Sequence, residues 1–271
     1  MGLRTEKGRY NIMAKGLLEK TRKINRLLQR SKSVKYDDIS RVLSNVIDAN
    51  VYIVDKKGKI YGYAFVDDFE CNLMIDNVVD NGEFPKHYVN WLLKIDDTSP
   101  NLRSKTGKCA FAENSKCIYN GKNTTIVPIY SDGDRIGTLV VAKYGEEFTD
   151  DDLLLAEYGA TVVGMEMLRD HTKEVEIEAR EKATVQIALS TLSYSEIEAA
   201  ISIFGAMQDT EDLIVASKIA DKVGITRSVI VNALRKFESA GLIESKSLGM
   251  KGTFIKIKNE HLLDEIEKLK H

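Results

Sequence analysis

The stretch LIVASKIADKVGITRSVIVNALRKFESAGLIESKSLGMKGTFIKIK, Leu213–Lys258, decides how the chain is read. Apolar residues from Ala216 to Val223 recur at helical spacing. Gly224-Ile225-Thr226 interrupts them, and a second helical pattern runs from Arg227 to Ala240, closed by Gly241. Two short β-type runs follow, Leu242–Ser245 and Thr253–Ile257, with Gly249 and Gly252 between them. Helix, turn, helix and two-stranded ribbon is the order of a winged helix-turn-helix, which lays its second helix in the major groove of DNA.

The wheel of that second helix supports the assignment. At 100° per residue, Val229, Ile230, Ala233, Leu234 and Phe237 share one side, while Ser228, Asn232, Arg235 and Ser239 share the other. Arginine pairs bidentately with guanine and asparagine with adenine. Thr226 stands where it can cap the helix start, and a helix N-terminus attracts phosphate. The expected DNA contacts are Ser217 on the first helix, Thr226, Arg227, Ser228, Asn232, Arg235 and Lys236 on the second, and Lys246, Ser247 and Lys251 in the ribbon. Leu213–Lys258 holds nine Lys/Arg against three Asp/Glu, whereas the whole chain stands at −2. A positive end on a weakly acidic protein is the footprint of polyanion binding.

Working outward, 271 residues suffice for about two domains. With 43% hydrophobic and 30% charged residues the composition is that of a soluble globular protein. No run of 18 apolar residues and no charged-then-apolar leader is present, so a cytoplasmic protein without membrane contact is expected. The cysteines, Cys71, Cys109 and Cys117, lack metal or disulfide spacing, and the four histidines are scattered. Neither HExxH nor a P-loop nor a nucleophile elbow occurs, so no enzyme is expected. Gly133-Asp134-Arg135-Ile136-Gly137-Thr138 lacks the GxxxxGK[ST] spacing and reads as a hairpin turn rather than a phosphate loop.

Residues 1–12 carry no pattern and are read as a disordered arm or upstream extension. Leu17–Leu28 and Tyr36–Ala49 have helical stripes. Val51–Val54 and Ile60–Val66 form a hairpin around Lys56-Lys57-Gly58-Lys59, and Thr124–Tyr130 with Arg135–Lys143 forms a second. Between them, helical patterns at Asp68–Val79 and Lys86–Lys94 precede a loop-like stretch, Asp96–Cys117. A middle this long is expected to bind something. The class is α+β: residues 13–148 form an antiparallel sheet with flanking helices, laid out like a GAF or PAS sensor. Residues 149–192 form a long connecting helix capped by Thr149-Asp150-Asp151-Asp152, and residues 193–271 the DNA-binding domain, opened by a capping box at Ser193/Glu196.

Ala216–Lys258 closely resembles the C-terminal domain of the CodY family, pleiotropic transcriptional repressors of low-GC Gram-positive bacteria. So does DDLLLAEYGATVVGMEMLR, Asp151–Arg169; LLEKTRKINRLLQ (Leu17–Gln29) and TTIVPI (Thr124–Ile129) also match. The resemblance implies an N-terminal GAF domain binding branched-chain amino acids (isoleucine chiefly, with valine and leucine) and GTP as a second effector. It also implies a winged helix-turn-helix bound to double-stranded operator DNA, and a homodimer or tetramer. The family's pocket falls on Met74, Ile75, Val78, Phe84, Pro85, Tyr88, Cys109, Phe111 and Ala112. The family has an arginine where this chain has Met74, so the holder of the ligand carboxylate is open: Arg103, Lys108 or backbone N–H groups. The alternative function is a ligand-independent, nucleoid- or scaffold-type DNA-binding protein.

Overall fold

A computed structural model describes residues 3–30, 34–66, 69, 71–103, 107–111, 116–119, 121–207 and 209–270, with the backbone alone for 3–15, 30 and 250. The chain divides into two compact units, Met1–Asp170 and His171–His271.

In the first unit, helices α1 (Leu3–Arg30) and α2 (Tyr36–Ile47) precede strands β1 (Asn50–Asp55) and β2 (Ile60–Ala64). The short helix α3 (Asn72–Met74) continues as a π-helical turn, Ile75–Val79, and α4 (Lys86–Leu92) follows. Strands β3 (Ser99–Leu102), β4 (Lys122–Ser131) and β5 (Asp134–Tyr144) lead into the long helix α5 (Asp150–Ser190). The five strands form one sheet in the order β2-β1-β5-β4-β3, with every neighbouring pair antiparallel. The expected fold class and both hairpins are present.

Strand alternation divides the core into two layers. Val51, Ile53, Val127, Ile129, Leu139 and Val141 pack with Ile24, Ile39, Leu43, Ile47, Leu155, Ala160 and Val163 from α1, α2 and α5. Tyr52, Val54, Ile126 and Val140 point the other way, against Met74, Val78, Phe84, Tyr88 and Leu92. A glycine at 159 lets α5 approach α2, because a Cβ there would stand 2.4 Å from Leu43 Cδ2. The start of α5 is closed reciprocally, with Asp152 N–H donating to Thr149 Oγ1 (3.3 Å) and Thr149 N–H to Asp152 Oδ2 (3.1 Å).

Three expectations change. The first helix begins at Leu3 rather than after residue 12. Leu3, Arg4, Glu6, Lys7 and Arg9 are good helix formers that show no apolar stripe, so periodicity could not reveal them. Asp96–Cys117 contains the strand β3, whose Pro100 suits its position at the sheet edge. Of the helix expected over Asp68–Val79, the described residues carry only Asn72–Met74 and the π turn. The Gly133 region is a hairpin turn between β4 and β5. Arg135, at its far side, donates to the carbonyls of Leu92 and Ile95 and to Thr138 Oγ1.

The second unit contains α6 (Tyr194–Phe204), β6 (Glu211–Ile214), α7 (Ala216–Val223), α8 (Arg227–Ser239), β7 (Ile243–Ser247), a 3-10 turn at Gly249–Lys251, β8 (Thr253–Ile257) and α9 (His261–Lys268). Ser193 and Glu196 form the expected capping box at the head of α6. The ribbon is three-stranded, β6-β8-β7. Strand β6 was hidden in the sequence because it is four residues long and only Ile214 of it is buried. The core gathers Val185, Ala188 and Leu189 of α5 with Ala199, Ile203, Phe204, Ile230, Phe237, Ile255 and Leu262. The long helix thus contributes side chains to the core of each unit, and the boundary between units lies inside it.

Candidate functional site

The sheet face carrying Tyr52 and Ile126 is roofed by α3, the π turn and α4. Phe84 is 2% exposed and stands edge-on to Tyr52 (centroids 5.7 Å apart) and Tyr88 (5.4 Å). Phe111 completes the group, 5.6 Å from Phe84 and 4.9 Å from Tyr88. Pro85 caps α4 with its carbonyl accepting from Tyr88 N–H and Val89 N–H, which directs the Tyr88 ring inward. Burial pushes the Tyr88 phenol above its ordinary pKa, so it stays a neutral donor. The π turn, a feature found often at functional sites, carries Ile75, half-buried, and Val78, fully buried.

Beside this cluster lies a cavity of about 370 Å³ lined by His87, Tyr88, Trp91, Leu102, Arg103, Cys109, Ala110, Lys122 and Thr124. That volume is in the range of small-molecule sites. Of the expected pocket residues, Tyr88 and Cys109 line the cavity. Met74, Val78, Phe84 and Phe111 join Tyr88 in the packed layer on the same sheet face. Ala112 lies outside the described residues. Cys109 behaves as a small structural residue, its sulfur accepting from Phe111 N–H at 3.5 Å. Met74, at the position where the resemblance places an arginine, is 2% exposed.

Sequence reasoning missed the cationic rim. Arg103 was named as a neighbour in sequence and does line the cavity, but its Nε donates to Asn123 Oδ1 (2.6 Å) and its Nη2 to Glu147 Oε1 (3.0 Å). Lys122 was not named at all. It opens β4 on the face that carries Thr124 and Ile126, and its ammonium sits 5.5 Å from the Phe111 ring centre. Strand parity was the available signal: two residues before Thr124 means the same face.

In the second unit, α7 ends at Gly224, whose φ of 73° is the left-handed conformation that turns the chain toward α8. On α8, Ile230, Ala233, Leu234 and Phe237 are buried and Val229 half-buried, as the wheel requires. Ser217, Thr226, Arg227, Ser228, Asn232 and Arg235 are exposed, as are Lys246, Ser247 and Lys251 of the wing. Thr226 occupies the N-cap position, but its hydroxyl bonds Ser228 Oγ at 2.7 Å rather than capping the helix N–H groups. Lys236 differs from the expectation. Its ammonium donates to Glu196 Oε2 (2.7 Å) and to the Thr191 carbonyl (2.9 Å), holding α8 against α6. That contact also holds the Glu196 carboxyl below its usual range. Lys256 and Lys258 are likewise paired, with Glu211 and Glu244. Among the described residues, Lys218, Lys222, Arg227, Arg235, Lys246 and Lys251 form no ion pair. These six cations are therefore available to a polyanion.

Comparison with known proteins finds relatives of both parts of the chain. Residues 16–191 match the family described as the CodY GAF-like domain, and residues 210–270 the CodY helix-turn-helix domain. The global transcriptional regulator CodY of Clostridium perfringens is 57% identical over 256 residues, 94% of this chain and 99% of that protein. Its counterpart in Clostridium tetani is 56% identical over the same shares. A solved structure, the cofactor-binding GAF domain of the nutrient sensor CodY from Clostridium difficile, is 38% identical; it covers 55% of this chain and 96% of that one, with a TM-score of 0.40. These relatives are named as regulators of transcription, and no helix among the described residues is long and apolar enough to cross a membrane. With an antiparallel sheet under helices, a helix-turn-helix followed by a β-ribbon, and matches along almost its whole length, the chain belongs to the CodY family of global transcriptional regulators.

Proposed function

We propose that the protein is a ligand-gated repressor whose affinity for operator DNA is raised by a branched-chain amino acid, isoleucine foremost, with valine and leucine as weaker relatives. The observation that carries this reading is the pairing, in one chain, of an aromatic-walled cavity having a cationic rim with a helix whose Arg227, Asn232 and Arg235 are exposed and uncommitted. A branched aliphatic side chain fits against Tyr88, Trp91 and Leu102, and its polar end faces the rim. The proposed pocket retains Met74, Ile75, Val78, Phe84, Pro85, Tyr88, Cys109 and Phe111 as wall and backing, and keeps Ala112, outside the described residues, as a proposed member. The proposed DNA contacts are Ser217, Thr226, Arg227, Ser228, Asn232, Arg235, Lys246, Ser247 and Lys251; Lys236 is removed because its charge is spent on Glu196.

Family membership supports GTP as a second effector, to which we assign no residue, and action in the cytoplasm, where the DNA is. A homodimer or tetramer is favoured by Leu154 and Met165, 49% and 58% exposed on α5. Eleven residues apart, they lie on one helix face. The test is operator affinity of the full chain with and without isoleucine, alongside a calorimetric titration of the same ligand. Tighter operator binding with measurable heat is expected. Tight binding indifferent to isoleucine, valine and leucine would replace this reading with that of a ligand-independent nucleoid- or scaffold-type protein.

A further inference from the structure

We infer that Lys122 is the anchor for the ligand's carboxylate. The cavity beside Tyr88 has three basic lining residues, His87, Arg103 and Lys122, and no aspartate or glutamate among its described lining residues. A half-open site of that composition favours an anion, and its aromatic and aliphatic wall favours one with an apolar body.

The three basic groups are not equivalent. Arg103 is held by Asn123 and neutralised by Glu147. Asn123 is itself fully buried, with its Nδ2 on the Glu146 carbonyl at 2.6 Å, so the guanidinium is fixed as part of the frame. His87 Nε2 is 3.0 Å from the Ala110 carbonyl, which can only accept, so that nitrogen is a committed donor. The Lys122 side chain alone of the three has no hydrogen bond or counter-ion among the described residues; its ammonium lies over the ring of Phe111. A half-buried ammonium over an aromatic ring keeps its three donors for an incoming group. Its position on β4, two residues before Thr124, sets it on a rigid strand rather than on the loops around the cavity. The lining thus combines one uncommitted cation with the apolar surfaces of Tyr88, Trp91 and Leu102. Met74 cannot supply a cation, and nothing requires it to.

This assignment rests on the branched-chain reading above, and the test separates the two. The full chain and its Lys122→Met variant are titrated with L-isoleucine and with L-isoleucinamide, which has the same side chain and ammonium but no carboxylate. Losing a charge-assisted contact should weaken isoleucine binding about tenfold to a hundredfold in Lys122→Met, and isoleucinamide binding by less than about threefold. Lys122→Gln, which keeps a polar head, should show the same selective loss, and it decides the matter should the methionine variant fold poorly. Equal weakening of both ligands would mean that the lysine serves only the shape of the cavity, and an unchanged isoleucine affinity would likewise overturn the assignment. Absence of isoleucine binding to the unsubstituted chain would instead bring down the functional reading on which the assignment stands, and the assignment with it.

Discussion

In the first unit, Lys143 and Asp152 form a buried ion pair at 2.8 Å, with side chains only 12% and 9% exposed. Burial alone would raise the Asp152 carboxyl, but the lysine and the Thr149 N–H outweigh it and hold the pKa below its ordinary value. A depressed folded-state pKa means that this carboxylate contributes stability above its unfolded value, about 3.9, and that the contribution is lost as pH falls through the folded value. Chemical denaturation should therefore show the first unit weakening below about pH 4. Lys143→Met leaves the carboxylate buried with Thr149 as its remaining partner, and should cost about 3 kcal/mol at pH 7 while moving the acid transition upward. A variant within about 0.5 kcal/mol of the parent would place the pair among surface bridges that contribute little. Lys236 and Glu196 form the corresponding pair in the second unit, committing one lysine of α8 to a contact within the unit.

At the scale of an element, α8 and the wing make separable contributions. Arg235 is exposed on α8, and the proposed reading sets it against base edges, so Arg235→Ala should cost about 1–3 kcal/mol on a specific operator and little on random DNA. Lys251→Ala in the wing should weaken both alike and reduce the salt slope by about 0.9. Fluorescence anisotropy across a salt series distinguishes them, and an unchanged operator affinity in Arg235→Ala would refute that face as the reader. Helix α8 was legible in the sequence because only one of its faces is buried, so composition follows the 3.6-residue period. The sheet's two layers were not legible. Both faces of β1, β4 and β5 are covered, and a doubly covered strand reads as an apolar run without a preferred side. The pairing of Lys236 was not legible for a related reason: the wheel places it near the exposed edge, but its partner, Glu196, is 40 residues away and leaves no local trace. The aromatic group of Phe84, Tyr88 and Phe111 was named through resemblance, and Arg103 by its nearness in sequence. Lys122 was not named, because it comes beside Arg103 only once β3 and β4 pair.

For the whole molecule, the proposed function requires that an occupied cavity in one unit change the behaviour of α8 in the other. Helix α5 contributes Leu155, Ala156, Ala160 and Val163 to the first core and Val185, Ala188 and Leu189 to the second. Between those sets, residues 171–183 are all exposed and are held helical by backbone bonds and pairs such as Lys182–Glu178. We propose that the ligand signal travels through this segment. Linkage then makes the effect reciprocal: whatever factor isoleucine adds to operator affinity, operator DNA must add to isoleucine affinity. A proline at 178 removes one helical hydrogen bond and kinks the helix at a cost of about 3 kcal/mol, without touching either core. Glu178→Pro should therefore leave isoleucine binding and ligand-free DNA binding near their parental values while abolishing the increase in operator affinity on adding isoleucine. Glu178→Ala, which loses the pair with Lys182 but keeps the helix, should respond like the parent. Paired titrations of both variants, each in the presence and absence of the other ligand, give the coupling factor in both directions. If Glu178→Pro still answers isoleucine with the parental increase, the signal does not depend on helix continuity, and ligand must reach the reader by another route.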